Sequence, residues 1–168
     1  EILAMASYPD FDPNIFAEGI SSKDWASVQS TNPRDSLAPT PLYSIATRTA
    51  VQPGSTFKPV TAVAALKAGL DPNRRIYDGR YIEMGGHKFG CSNYNNGLGS
   101  HGYQTLAQGI QNSCNYYFYE VANEIYYQFN HTIDPIDQVA KAMGLGEHTG
   151  VELSESVGYR ANAETKAM

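Results

Sequence analysis

The clearest periodic pattern in the chain runs from Ser55 to Ala68, within the stretch AVQPGSTFKPVTAVAALKAGL. Its larger apolar residues recur at steps of three and four with small alanines between them, so the pattern predicts a helix that is largely withdrawn from water. Gly69 supplies a left-handed stop, and Pro72 blocks continuation. Pro59 is tolerated only in a first turn, where its missing N–H removes no hydrogen bond. The helix is therefore predicted to begin at about Ser55.

The remaining pattern predicts a strand, a hairpin and three further helices. The apolar run ILAMAS, at residues 2–7, ends at the turn residues of YPDFDPN and predicts a buried strand that enters a loop. Residues 19–54 are rich in Ser, Thr, Pro and Asn, and such a long irregular stretch often borders a site. The Gly-, Asn- and Ser-rich stretch 80–102 predicts a hairpin and a loop. Helical periodicity covers Tyr103–Asn112, Tyr116–Phe129 and Ile136–Met143, with no internal repeat and no linker between domains.

Composition narrows the class of protein. The chain has 168 residues, of which 42% are hydrophobic and 17% charged, which suits one domain with a real core. The net charge of −5, without a clustered basic face, argues against a nucleic-acid partner. No run reaches the roughly 20 apolar residues of a membrane span, and no signal peptide is recognisable.

The two cysteines and four histidines predict no metal site on spacing alone. Cys91 and Cys114 show no CxxC or paired Cys/His spacing, so we expect free or buried thiols instead of a disulfide framework or a zinc site. The histidines are scattered without a ligand pair and are predicted to be solvated loop residues. We expect neither a metal nor a cofactor.

Ser55 and Lys58 are the strongest candidates for chemistry. Residues three apart on a helix lie on one face, so hydroxyl and amine can touch. Serine needs an adjacent base, and a lysine can serve once desolvation lowers its pKa. The helix N-terminus adds a positive partial charge that could steady an oxyanion. The bland alternative is a capping serine beside a solvated lysine.

A second candidate site is QNSCNYYFYEV, in which Ser113 and Asn115 lie between two predicted helices. The hydroxyl could relay protons, and the carboxamide could both donate to and accept from a substrate amide. The S-x-N pattern is weak by itself, because Ser30–Asn32 matches it too, and an ordinary helix junction is the alternative.

Together, PGSTFKPVTAVAAL and SCNYYFYEVA resemble the transpeptidase domain of penicillin-binding proteins, whose S-x-x-K motif is followed by S-x-N and K-[ST]-G. ILAMASYPDFDPN, DGRYIEMGGHKFGC and GLGEHTGVELSESVG resemble other segments of this domain, and the similarity is greatest to monofunctional, class B members. The resemblance implies an α/β fold of the α+β type, the penicillin-binding-protein/serine β-lactamase-like fold, in which an antiparallel sheet packs against helices around a central active-site helix.

The resemblance also implies residue roles. Ser55 would be the nucleophile that D-Ala-D-Ala stem peptides and β-lactams acylate, and Lys58 its general base. Ser113 would pass a proton to the leaving amine, and Asn115 would bind the donor peptide's amide. The third motif, K-[ST]-G, is absent after Ser113, and KFG at residues 88–90 precedes Ser113 and is rejected.

We therefore expect residues 1–168 to be part of a transpeptidase domain that lacks its K-[ST]-G half and has an incomplete sheet. The expected partners are the missing half of the domain or another chain that completes the sheet, together with other cell-wall synthesis proteins. The expected location is the extracytoplasmic face of a bacterial membrane, with an anchor outside this chain. Two other functions stay open: a β-lactam sensor or non-catalytic scaffold, and a serine β-lactamase that would use Glu147 or Glu152 to activate water.

Overall fold

The computed structural model describes residues 2–32, 34–35, 38 and 40–166. The chain divides into two compact units. One comprises Glu1–Val51 and His148–Val157, and the other comprises Gln52–Glu147 and Gly158–Met168. The four predicted site residues all belong to the second unit: Ser55, Lys58, Ser113 and Asn115.

The described residues of the first unit form a 3₁₀ turn at Pro13–Phe16, helix α1 at Ser22–Ser27 and helix α2 at Ile45–Arg48. The Asp12 carboxylate caps the 3₁₀ turn by accepting a hydrogen bond from Asn14 N–H at 2.9 Å. The Ser21 hydroxyl caps α1 by accepting from Asp24 N–H at 3.1 Å. These caps satisfy N–H groups that a first helical turn leaves without a backbone partner.

The strand predicted at residues 2–7 is wrong. This segment is irregular, and its apolar side chains face water: Leu3 is 87% exposed. A strand exists only with a hydrogen-bonded neighbour, and the described residues place none beside it. The irregular stretch at 19–54 is confirmed where it is described, interrupted by α1 and α2; four of its residues lie outside the described part: Pro33, Ser36, Leu37 and Pro39.

The second unit contains helices and short antiparallel strands. Its helices are α3 at Lys58–Lys67, α4 at Ser92–Asn95, α5 at Leu106–Gln111, α6 at Asn115–Gln128, α7 at Asp134–Ala142 and α8 at Ala163–Lys166. Its strands are β1 at Ile76–Tyr77, β2 at Tyr81–Met84, β3 at His87–Gly90 and β4 at Tyr103–Gln104. Within the described part of the chain, no helix combines the length and apolarity needed to cross a membrane.

Helix α3 lies at the centre of the second unit and packs against α5, α6 and α7. Its buried side chains are small or β-branched, which lets three helices approach it: Val60, Thr61, Ala62, Ala64 and Ala65. A 3₁₀ turn at Gly54–Phe57 leads into it, and Pro59 occupies its first turn. Gly69, at φ +95°, ends it. The predicted helix and its stop are confirmed, but the α-helix begins at Lys58, three residues after the predicted start, because Ser55 lies in the preceding 3₁₀ turn.

The strands form two separate two-stranded antiparallel ladders, β1 with β4 and β2 with β3. The β2–β3 hairpin confirms the prediction for residues 80–102. The helix predicted from Tyr103 begins three residues later, at Leu106, because Tyr103 and Gln104 pair with Tyr77 and Ile76 in the β1–β4 ladder. Helices with antiparallel strands agree with the predicted α+β class.

Candidate active site

Ser55 and Lys58 meet at the start of helix α3. Ser55 lies in the 3₁₀ turn that precedes the helix, and Lys58 is the first residue of α3. The Lys58 Nζ lies 3.1 Å from the Ser55 Oγ. Ser55 is exposed, so an incoming molecule can reach its hydroxyl, whereas Lys58 is half-buried behind it.

Ser113 lies where helix α5 ends and turns into α6. Its φ of +50° is left-handed, a conformation that glycine usually supplies at a helix end. Two backbone hydrogen bonds close the turn, from Ser113 N–H to Ile110 C=O at 3.0 Å and from Cys114 N–H to Gly109 C=O at 2.9 Å. This tight reversal places the Ser113 hydroxyl and the Asn115 side chain on the same side of the junction, facing Lys58.

The four predicted site residues are brought together by the fold. The Lys58 Nζ donates to Ser113 C=O at 2.7 Å and to Asn115 Oδ1 at 2.6 Å. It also lies 2.8 Å from the Ser113 Oγ. The Ser113 Oγ is in turn 3.0 Å from the Ser55 Oγ. The two hydroxyls, the amine and the carboxamide that the sequence predicts therefore form one connected network.

The hydrogen bonds around Lys58 suit an uncharged amine. A neutral amine has two N–H donors and one lone pair. Ser113 C=O and Asn115 Oδ1 can only accept, so they occupy both N–H groups. The lone pair is then free to accept a proton from the hydroxyl of Ser55 or Ser113. The geometry thus provides a base whose other bonds are satisfied without a positive charge.

Burial favours the same protonation state. It lowers the pKa of Lys58 from its ordinary value of 10.5, because a half-buried ammonium loses hydration. The charges of deprotonated Cys91 and Cys114 would oppose this shift. Burial, however, raises the pKa of Cys114 to about 12, so this thiol is uncharged at neutral pH. Desolvation therefore outweighs the effect of the cysteines on the pKa of Lys58.

The lysine of the KFG tripeptide and the glutamates of the β-lactamase alternative lie outside the Ser55–Lys58 network. Lys88, in the rejected KFG tripeptide, stands over the Tyr81 ring at 4.5 Å within the β2–β3 hairpin. Glu147 pairs with Arg160 at 3.1 Å. Glu152 belongs to the first unit. The hydrogen bonds of the Ser55–Lys58 network join Ser55, Lys58, Ser113 and Asn115, and Glu147 takes part in none of them.

A buried cluster of four possible metal ligands lies behind the Ser113 turn. One ligand atom each from Asp78, Cys91, His101 and Cys114 lies within 4.8 Å of the others. Asp78 and the two cysteines are at most 1% exposed, and the His101 side chain is 9% exposed. The prediction of solvated histidines is therefore wrong for His101. Linear spacing gave no signal for the cluster, because its members come from the β1–β2 connection, the end of β3, the loop before β4 and the α5–α6 turn.

The cluster fits a tetrahedral transition-metal ion. The two Sγ atoms are 3.6 Å apart, too far for a disulfide and close to the roughly 3.8 Å between tetrahedral thiolates bound at 2.3 Å. The Asp78 Oδ2 lies 2.9 Å from the His101 Nδ1. Burial alone would raise the pKa of Asp78, but hydrogen bonds from the backbone N–H groups of His101 and Arg80 and from the His101 ring hold it below its usual range. A charged carboxylate, an imidazole and two sulfurs are zinc ligands.

Comparison with known proteins gives the family. The family model "Penicillin binding protein transpeptidase domain" matches residues 1–166. The peptidoglycan D,D-transpeptidase MrdA of Acinetobacter baumannii is 38% identical over 170 residues, which cover 99% of this chain and 23% of the relative. The chain spans less than a quarter of the length of the first curated relatives that it matches.

Solved structures agree with this match. Penicillin-binding protein 2 in its complex with MreC, from Helicobacter pylori, superposes with a TM-score of 0.82 at 30% identity and covers 99% of this chain and 28% of that one. The penicillin G acyl-enzyme complex of penicillin-binding protein A from M. tuberculosis superposes with a TM-score of 0.68 at 26% identity, over 94% of this chain and 35% of that one. The chain belongs to the penicillin-binding protein transpeptidase family.

Proposed function

We propose that the protein is a D,D-transpeptidase that cross-links peptidoglycan stem peptides through an acyl-serine. The observation that carries this proposal is the network around Lys58, in which one amine is bonded to Ser55, Ser113 and Asn115. Family membership agrees with it, since the matching MrdA relatives are named peptidoglycan D,D-transpeptidases.

Acylation begins at Ser55. The Lys58 amine takes the Ser55 hydroxyl proton as Oγ attacks the carbonyl carbon of the penultimate D-alanine. The tetrahedral intermediate collapses with cleavage of the peptide C–N bond. The proton passes from Lys58 through the Ser113 hydroxyl to the departing amine of the terminal D-alanine, which leaves neutral. Asn115 binds the donor peptide's amide.

Transfer reverses these roles. The amine of a second stem peptide attacks the acyl-serine carbonyl, and its proton passes through Ser113 and Lys58 back to the Ser55 Oγ. A new amide bond forms as the ester C–O bond breaks, so atoms and protons balance. The same hydroxyl would open a β-lactam ring, as the penicillin G acyl-enzyme of the M. tuberculosis relative illustrates for that protein.

The setting of the enzyme follows from its proposed substrate. Peptidoglycan lies outside the cytoplasm, so we place the catalytic domain on the extracytoplasmic face of a bacterial membrane, with its anchor outside this chain. Other cell-wall synthesis proteins, of the kind represented by MreC in the H. pylori complex, are the proposed partners. We further propose that this chain is part of its domain, completed by a K-[ST]-G segment from elsewhere in the protein.

The test is the intact mass of the full-length protein after exposure to a penicillin. A lasting adduct on Ser55 that is absent from Ser55→Ala supports acylation. A second assay, in which the enzyme joins a stem-peptide mimic to an amine, then distinguishes a transpeptidase from a β-lactam sensor. Rapid turnover of the penicillin would indicate a β-lactamase. A wild-type protein that acquires no adduct would refute the proposal.

We also propose that Asp78, Cys91, His101 and Cys114 hold a zinc ion. Four protein ligands make a closed, structural site, so the ion would supply stability by tying together the segments that carry its ligands. Because Cys114 follows Ser113 directly, one of those segments is the catalytic turn. Binding would release the thiol protons, since thiolates are the ligands.

Elemental analysis of the purified full-length protein tests the zinc proposal. We expect about one zinc per chain, loss of that zinc in Cys91→Ala, and retention in His131→Ala, whose ring makes edge-to-face contacts with Tyr126 and Tyr127 and is not part of the cluster. A chelator should lower the Tm of the wild-type protein but leave the Tm of Cys91→Ala unchanged. Equal metal content in all three proteins would contradict the assignment.

A further inference from the structure

Gln104, in strand β4, has an unusual environment for its residue type. Glutamine is mostly found at protein surfaces, yet Gln104 is only 5% exposed. Its side-chain nitrogen donates to His101 C=O at 2.8 Å and to Tyr103 C=O at 3.0 Å. Its side-chain oxygen accepts from the Asn112 Nδ2 at 2.5 Å. A buried amide whose donors and acceptor are all used fixes the groups that it contacts.

Asn112 connects this buried amide to the candidate active site. It is the C-cap of helix α5, between Gln111 and Ser113. Its own N–H bonds to Gln108 C=O at 2.9 Å, and its side chain reaches back to Gln104. The Gln104–Asn112 hydrogen bond therefore restrains the residue directly before Ser113, where the chain enters the left-handed turn.

That conformation needs support. A non-glycine residue at φ +50° is strained and persists only where the surroundings determine it on several sides. The helix-end hydrogen bonds act on the backbone after Asn112, and Lys58 acts on the Ser113 carbonyl. Gln104 adds a third contact, because it binds the Asn112 side chain from strand β4, which is separate from both helices.

We propose that Gln104 is a positioning residue for acylation: through Asn112 it holds Ser113 where its hydroxyl lies between the Ser55 hydroxyl and the Lys58 amine. This inference rests on the proposed transpeptidase function. Gln104 makes no contact with the reacting groups, and its effect is on the orientation of Ser113.

The test uses the full-length protein and stopped-flow acylation by a chromogenic or fluorescent penicillin, which separates the drug's dissociation constant from the acylation rate constant. Gln104→Met preserves side-chain length and removes all three hydrogen bonds. Gln111→Met is the matched control, because it makes the same substitution at an exposed glutamine, the last residue of α5. Asn112→Ala is a second variant, in which an exposed residue loses its bond to Gln104 while Gln104 keeps its two carbonyl contacts.

We expect Gln104→Met to lower the acylation rate constant by about 10- to 100-fold with the dissociation constant unchanged, as misplacement of a catalytic group does. Asn112→Ala should lower it in the same direction, and Gln111→Met should leave it at the wild-type value. Should Gln104→Met not fold, Asn112→Ala decides.

Wild-type acylation rates in the folded variants would overturn the inference, as would a loss confined to drug binding. Failure of the wild-type protein itself to acylate would instead refute the proposed function, so the two failures are distinguishable.

Discussion

At the scale of single residues, Ser113 is the left-handed residue that follows the C-cap of α5, a position at which α3, α6 and α7 have glycine or asparagine. Gly69 and Gly144 end α3 and α7 in the left-handed region, and Asn130 follows α6 there. Glycine and asparagine tolerate that conformation, whereas serine pays a steric penalty from its Cβ. The hydroxyl, 2.8 Å from the Lys58 Nζ, explains why a strained residue stands at this helix end.

Strain and chemistry can be separated at Ser113 by comparing two variants. Ser113→Gly and Ser113→Ala both lack the hydroxyl, so acylation by a penicillin should fall by about 100-fold or more in each. Only glycine relieves the left-handed strain, so Ser113→Gly should be more stable to urea than Ser113→Ala by about 1 kcal/mol. Equal or reversed stabilities would show that Ser113 is not strained.

The lowered pKa of Lys58 predicts the pH dependence of acylation. A protonated amine cannot accept the Ser55 proton, so the acylation rate should be low in acid and rise as the pH passes through the pKa of Lys58, which burial places below 10.5. Measuring acylation of the full-length protein across its range of stability tests this. Lys58→Arg, whose guanidinium stays protonated, is the control and should remain slow throughout. A rate that increases toward low pH would be contrary to this mechanism.

Sequence reasoning reached some site residues more readily than others. Ser55 and Lys58 are neighbours on one helix, so their contact follows from local geometry. Ser113 and Asn115 gained weight only through family resemblance, because S-x-N alone is common. The Asp78–His101 pair went unnoticed, since contacts between distant segments depend on tertiary packing and leave no periodic trace.

At the scale of elements, helices α5 and α6 approach each other closely at Gly109. A Cβ placed on Gly109 would lie 2.9 Å from the Tyr117 ring, which is 1% exposed. The two helices can reverse so tightly around Ser113 because Gly109 has no side chain to hold them apart.

Gly109→Ala should therefore destabilise the protein, although alanine is the better helix former. We expect a loss of about 1–3 kcal/mol in the free energy of unfolding, which is typical of overpacking a core. Chemical denaturation provides the measurement, with Gln111→Ala on the exposed part of the same helix as control. A neutral or stabilising Gly109→Ala would mean that the helices can move apart without cost.

Elements with strong local signals were predicted well. Helix α3 has small buried residues, a proline in its first turn and a terminal glycine, and each signal agrees with the fold. The β2–β3 hairpin is local as well. The predictions that failed concerned strand pairing between segments far apart in the sequence. Residues 2–7 were predicted to form a strand but have no strand partner among the described residues, and residues 103–104 were predicted to be helical but pair with β1.

At the scale of the whole molecule, all four proposed catalytic and binding residues belong to one compact unit, but the family's third motif is absent from the sequence after Ser113. The family resemblance implies that this motif would form the facing wall of the cleft. A chain of residues 1–168 alone would thus present its nucleophile without the opposite half of the binding site.

We predict that residues 1–168, expressed alone, are labelled by a fluorescent penicillin at Ser55 far more slowly than the full-length protein. The comparison requires that circular dichroism first show helical structure in the fragment, so that loss of fold is not mistaken for loss of the cleft. Stoichiometric labelling at the full-length rate would refute the prediction and show that one wall suffices.

Four oxygen atoms lie within 3.1 Å of the Lys58 nitrogen, and they determine how the structure of the site responds to protonation of Lys58. Adding a third proton gives the nitrogen one more donor for the surrounding hydroxyl oxygens, so the contacts at 2.6–3.1 Å are kept or strengthened while the lone pair is lost. Acidification should therefore leave the cleft well ordered and chemically silent. A crystal structure determined at low pH would therefore show the same arrangement of Ser55, Lys58 and Ser113, although the protonated Lys58 could no longer act as a base.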